Sequence, residues 1–170
     1  DINMDMIIGL PGEGLKEVIH TKEEISKLHP DSLTVHGLSL KRASILYENF
    51  VLKKGIQVKK QSELADMYEE SRVLAKELGL YPYYMYRQKN ISGNLENVGY
   101  ATEGNFGIYN ILIMEEKQTI VALGAGSITK RVFPDGRIER CDNVKDVGLY
   151  IEKIEEMMER KRKLLSDPLE

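Results

Sequence analysis

The stretch Asp1-Ile-Asn-Met-Asp-Met-Ile-Ile-Gly-Leu-Pro-Gly-Glu-Gly14 decides how the rest of the chain is read. Met4, Met6, Ile7 and Ile8 form an apolar run of the kind expected of a parallel strand covered on both faces. Asp5 interrupts it. A carboxylate inside a covered strand is costly unless something pairs with it, so Asp5 is expected to point at a polar ligand or a hydrogen-bond donor. Gly9, Pro11, Gly12 and Gly14 then end the strand in a loop whose backbone can pass close to another molecule. In α/β folds the loops after the carboxyl ends of strands are where ligands bind. A plain strand-to-helix turn with a capping aspartate fits the same residues.

Working outward, residues 13–28 carry Leu15, Val18, Ile19, Ile25 and Leu28 near helical spacing, and His29-Pro30-Asp31 stops them. Residues 32–38 read as a second strand, so strand, helix and strand make a parallel, right-handed βαβ unit. A helix over 43–54 closes at Gly55. Another begins at Ser62 as N-cap, buries Leu64, Met67, Tyr68, Ser71, Leu74, Ala75 and Leu78, and ends at Gly79. Residues 81–88 form a strand crowded with tyrosines. The polar, glycine-rich residues 89–105 have too little apolar content for a core and read as a long functional loop. A helix follows over 106–116, a strand over 119–125, and a hairpin around Pro134-Asp135-Gly136. Asn143 caps a last helix of roughly twenty residues whose inner face is Val147, Tyr150, Ile151, Ile154, Met157 and Met158.

The 170 residues, 42% hydrophobic and 30% charged, suffice for a soluble domain with a real core. A net charge of −3 gives no electrostatic case for nucleic acid, and no apolar run approaches a membrane span. One cysteine makes no internal disulfide, and a cytoplasmic protein is the default. The chain starts inside a strand and ends in Leu169-Glu170, native or vector-derived, which suggests an excised fragment. A strand cut from its neighbours would leave Ile2, Met4, Met6 and Ile8 uncovered, so the fragment is expected to self-associate.

Asp5-Met-Ile-Ile-Gly-Leu-Pro-Gly-Glu13 resembles the fifth barrel strand of radical S-adenosylmethionine (SAM) enzymes. Tyr83-Tyr-Met-Tyr-Arg-Gln-Lys-Asn90, Gly93-Asn-Leu-Glu-Asn-Val-Gly-Tyr-Ala101 and Ala122-Leu-Gly-Ala-Gly-Ser127 narrow the likeness. Together they resemble the oxygen-independent coproporphyrinogen III oxidase-like family, in its HemZ-type coproporphyrinogen dehydrogenase branch. The resemblance implies an α/β fold: the last two strands of a partial (β/α)6 barrel over residues 1–42, then the family's C-terminal α+β extension over 43–170. The missing front part would carry the Cys-x-x-x-Cys-x-x-Cys loop of a [4Fe–4S] cluster, so this fragment is expected to be inactive by itself. The intact protein would cleave SAM reductively, with an electron donor, and decarboxylate the propionates of coproporphyrinogen III to give protoporphyrinogen IX. A heme-binding chaperone with the same fold, and a purely structural module that closes the barrel, are the alternatives.

By the same resemblance Asp5, Ser39, Gly124, Gly126 and Ile128 match SAM contacts. Gly124-Ala-Gly-Ser127 is no phosphate loop, because no Gly-Lys-Ser/Thr follows. For a flat tetrapyrrole edged with carboxylates, Tyr84 and Tyr86 offer stacking surfaces and Arg87 or Lys89 a grip on a propionate. Core tyrosines and a solvated arginine are the competing account. The chain has Arg-Gln-Lys-Asn where better-known members carry a Glu-Ile-Ser-Asn-Phe-Ala type motif. His36, near the carboxyl end of its strand, could face the barrel mouth but reads first as a core histidine, and Cys141 reads as structural, since a cluster needs several thiolates.

Overall fold

Alternation along β1 (Asn3–Ile8) sets the architecture. Met6 and Ile8 are buried, whereas Asn3, Asp5 and Ile7 are exposed. The chain is described here from a computed structural model, over residues 1–39, 59–86 and 95–166, and its contacts divide it into two compact units, Asp1–Ile108 and Tyr109–Glu170.

In the first unit, β1 leads into α1 (Leu15–Leu28) and then β2 (Ser32–Gly37), which runs parallel to β1 with Asn3 opposite Ser32 and Ile8 opposite Gly37. This is the expected βαβ unit. α2 (Gln61–Glu77) follows, then β3 (Tyr81–Tyr86) and β4 (Asn97–Ala101). The sheet order is β1-β2-β4-β3, with β4 antiparallel to both its neighbours. β4 therefore lies inside the sheet, within residues read above as a loop. Its sequence, Asn-Val-Gly-Tyr-Ala, lacks a bulky apolar alternation, because Asn97 and Gly99 occupy the face away from the core.

The described helices of this unit, α1 and α2, pack on the same face of the sheet. Met6, Ile8, Leu33, Val35 and Tyr100 from the strands pack with Val18, Ile25, Leu64, Met67, Leu74 and Ala75 from α1 and α2. Burying each large side chain is worth roughly 1.5–3 kcal/mol, and this cluster is what holds the unit together. Met6 and Ile8 are 4% and 1% exposed, which corrects the expectation that they would lie uncovered; Ile2, at 63%, does. A period of two puts alternate residues on opposite faces, so β1 is covered on one side and open on the other. Lys22 of α1 bridges Glu70 and Glu77 of α2 at 3.1 and 3.3 Å. Burial alone would lower its pKa, but the two carboxylates hold it above the ordinary lysine value, so the lysine's charge persists through neutral pH and its contribution is lost as pH rises through that raised value.

Tyr68 of α2 ties the helix layer to the sheet. Its hydroxyl donates to the Glu96 carbonyl just before β4, and burial pushes the phenol well above its usual pKa. Tyr68→Phe is expected to lower stability by about 1–3 kcal/mol, because the Glu96 carbonyl loses its donor. A denaturation curve should show a lower midpoint with an unchanged slope.

The N-cap of α2 is Lys60, one residue before its start and two before the expected Ser62. The expected helix over 43–54 lies outside the described residues, as do Arg87, Gln88 and Lys89. α3 (Ile108–Met114) is shorter than expected at both ends.

The second unit is built on the hairpin β5 (Ile128–Val132) and β6 (Ile138–Asp142). Its turn buries Phe133 between two guanidiniums, Arg131 at 4.4 Å and Arg137 at 3.8 Å from the ring centre. Arg131 is buried and donates to the Leu164 carbonyl. Residues 119–125 form no strand, only a single bridge between Ile120 and Lys130. The C-terminal helix is two helices, α4 (Val147–Glu152) and α5 (Ile154–Ser166). Asp146, not Asn143, caps α4 through a 2.9 Å bond from the Leu149 amide. Val147 and Ile151 are exposed, and Met157, Lys161 and Leu164 form the buried stripe of α5. The break after Glu152 shifts the phase of the pattern, which is why one continuous face was misassigned.

Candidate functional site

The open face of the four-stranded sheet carries polar side chains in register. One row runs Asp5, Thr34, Gly99, Tyr84 across β1, β2, β4 and β3. Gly99 matters because a Cβ there would sit 1.9 Å from the Tyr84 ring. The missing side chain lets that ring lie across β4 and hydrogen-bond with Thr34. Burial raises the Tyr84 pKa, and the Thr34 bond partly offsets it. The extra residue between Pro82 and Tyr84 turns Tyr83 against Tyr84 and onto Phe106.

The next row holds the chemistry. Ile7 lies opposite His36, and Tyr86 opposite Asn97. His36 Nε2 is 3.3 Å from Asp5 Oδ1, and the Tyr86 hydroxyl is 3.2 Å from His36 Nδ1. Asn3 also donates to Asp5 Oδ1, at 3.4 Å, so both contacts converge on one carboxylate oxygen. Among the described residues Oδ2 has no partner, and the Asp5 side chain is 62% exposed. Asn97, fully buried, accepts from the Gly37 amide at 2.8 Å and pins the end of β2 from which Leu38 and Ser39 leave. Its side-chain amide nitrogen has no partner among the described residues.

Asp5, Ile7, His36, Gly37, Leu38, Ser39 and Tyr86 line an open depression of about 410 Å³ at the carboxyl ends of β1 and β2. A carboxylate with one unengaged oxygen beside a serine suits a ligand with paired donors, such as vicinal hydroxyls or an ammonium group.

Two expected site residues, Asp5 and Ser39, thus meet, and Tyr86, expected to serve a different ligand, joins them. Tyr84 stacks parallel to Tyr86 with ring centres 6.2 Å apart. His36 was missed. The signal available was its place in a strand beside a parallel strand bearing Asp5, immediately before Gly37.

Gly124, Gly126 and Ile128 belong to the second unit. Gly124 and Gly126 take left-handed φ values of 95° and 70°, which suits glycine. Their turn is stitched internally: the Gly124 amide donates to the Tyr150 hydroxyl, the Gly126 amide to Val144, and Asn143 to the Gly124 carbonyl. Ile128 is 49% exposed.

No protein-family model matches the chain. It is 49% identical over 171 residues to the oxygen-independent coproporphyrinogen-III oxidase-like protein HemZ of Bacillus subtilis, covering all of this chain and 34% of that protein. The aligned part of HemZ is its C-terminal part. Along its whole length the chain is thus similar to the C-terminal part of HemZ. The heme chaperone HemW of Buchnera aphidicola is 24% identical over 165 residues, 94% of this chain and 39% of that one. The solved structure of Escherichia coli coproporphyrinogen III oxidase HemN, described as a radical SAM enzyme, superposes with a TM-score of 0.60 at 14% identity, over 91% of this chain and 34% of that one. The fold is therefore that of the matched region of HemN, as the sequence led us to expect. The chain spans about a third of the length of HemZ and HemN, so the activity of a whole protein is a separate question.

The residues fit SAM at its polar end: its ribose hydroxyls and ammonium are the paired donors that Asp5 Oδ2 and Ser39 suit. They do not fit an iron–sulfur cluster. Cys141 is the only cysteine and is buried in β6, and the described residues hold no group of three metal-ligating side chains. Among the described residues no helix is long and apolar enough to cross a membrane.

Proposed function

We propose that this chain is the C-terminal part of a radical SAM protein of porphyrin metabolism, and that the open face of its sheet binds SAM. In this reading Asp5 and Ser39 take the polar end of SAM. Tyr84 and Tyr86 stack toward a tetrapyrrole, and Arg87 or Lys89 meets its propionates. The supporting observation is the meeting of Asp5, His36, Ser39 and Tyr86 at the carboxyl ends of two parallel strands. The cluster and the electron-donor site lie in the part of the protein that this chain does not include. The reaction is oxidative decarboxylation of coproporphyrinogen III to protoporphyrinogen IX.

The likeness to HemW supports a second reading, a heme carrier without decarboxylase activity. Product analysis separates the two. The anaerobically reconstituted full-length protein, given SAM, a reductant and coproporphyrinogen III, should release carbon dioxide and form vinyl groups. Tight heme retention with no carbon dioxide release would favour the carrier.

A further inference from the structure

We infer that His36 is a positioning residue for Asp5, locked in one tautomer by Tyr86 so that the second oxygen of Asp5 faces the ligand. An ionised carboxylate only accepts hydrogen bonds, so the 3.3 Å contact between His36 Nε2 and Asp5 Oδ1 requires the proton on Nε2. Nδ1 of the neutral ring is then an acceptor, and the Tyr86 hydroxyl, 3.2 Å away, donates to it. The chain of bonds runs one way, from phenol to imidazole to carboxylate. Asn3 and His36 together occupy Oδ1 and hold the carboxylate plane, while Oδ2 stays open on the rim of the depression. A histidine at this place spans β2 and reaches diagonally from its own partner, Ile7, to Asp5 two residues earlier. The tautomer lock is a property of the described chain; the ligand end of the inference rests on the SAM reading above.

Long-range proton–nitrogen NMR of the 170-residue chain, above the imidazole titration, reads the lock without ligand. His36 should be wholly protonated at Nε2, while exposed His20 and His29 show the mixture of tautomers of a free imidazole. Asp5→Ala should return His36 to that mixture. In the full-length protein His36→Phe should weaken SAM binding about tenfold by calorimetry, and His36→Gln, which keeps a donor toward Asp5, should recover most of it. A tautomer mixture at His36 in the wild-type chain would overturn the lock. Unchanged SAM affinity in His36→Phe, alongside a loss in Asp5→Asn, would overturn the positioning role. If wild-type full-length protein bound no SAM, the proposed function would fail while the NMR result still decided the tautomer.

Discussion

Replacing Gly99 with valine should destabilise the first unit by about 2–4 kcal/mol, the largest loss we expect from a single methyl-bearing substitution outside the core. The added Cβ would fall 1.9 Å from one Tyr84 ring carbon and 2.4 Å from another, far inside van der Waals contact. Either the ring swings off β4 or the strand shifts. Overpacking of this kind costs roughly 1–3 kcal/mol, and losing the Tyr84–Thr34 hydrogen bond adds about 1 kcal/mol more. Gly99 lies on an interior strand, so the sheet has little freedom to move away. Urea denaturation measures the loss. A companion substitution, Tyr84→Ala, should make Gly99→Val far less costly, since the clash then disappears. If Gly99→Val costs the same with and without Tyr84, the ring is not what the glycine accommodates.

Asp5→Asn should weaken SAM binding by the full-length protein by about 1–3 kcal/mol, or roughly five- to more than a hundredfold, the range for losing a hydrogen bond to a charged group. Stability should barely change. The Asp5 side chain is 62% exposed, and its hydrogen-bond partners in the described structure are Asn3 and His36, so no fully buried partner is orphaned. Asparagine keeps the shape and one acceptor, which separates loss of charge from loss of packing. Calorimetric titration gives the affinity and a melting curve the stability. Unchanged affinity with a large drop in melting temperature would make Asp5 structural.

The βαβ unit was legible because its cues agree: an apolar run, a glycine-rich turn, a periodic helix and His29-Pro30 before the next strand. The position of Asp5 was legible too, though for a different physical reason than the sequence suggested. It does not relieve a buried charge; among the described residues its side chain stands 62% exposed. β4 was illegible because two of its five residues, Asn97 and Gly99, face away from the core. Asn97 pins Gly37, and Gly99 makes room for Tyr84, so the strand lacks the β-branched signature that packing would impose. His36 was undervalued for a related reason. Its role depends on a diagonal contact across a strand pair, and register is invisible to local periodicity. The break between α4 and α5 was missed because both halves are helical and amphipathic, and only the phase changes between them.

The central claim is that the open sheet face at the ends of β1 and β2 is where the ligand sits. Hydrogen–deuterium exchange of the anaerobic full-length protein, with and without saturating SAM, tests it most directly. Slowed exchange should appear in residues 5–12 and 36–39, while the solvent side of α1 and the exposed turn at residues 134–136 stay unchanged. Slowing confined to other segments, with 5–12 and 36–39 exchanging as before, would contradict it.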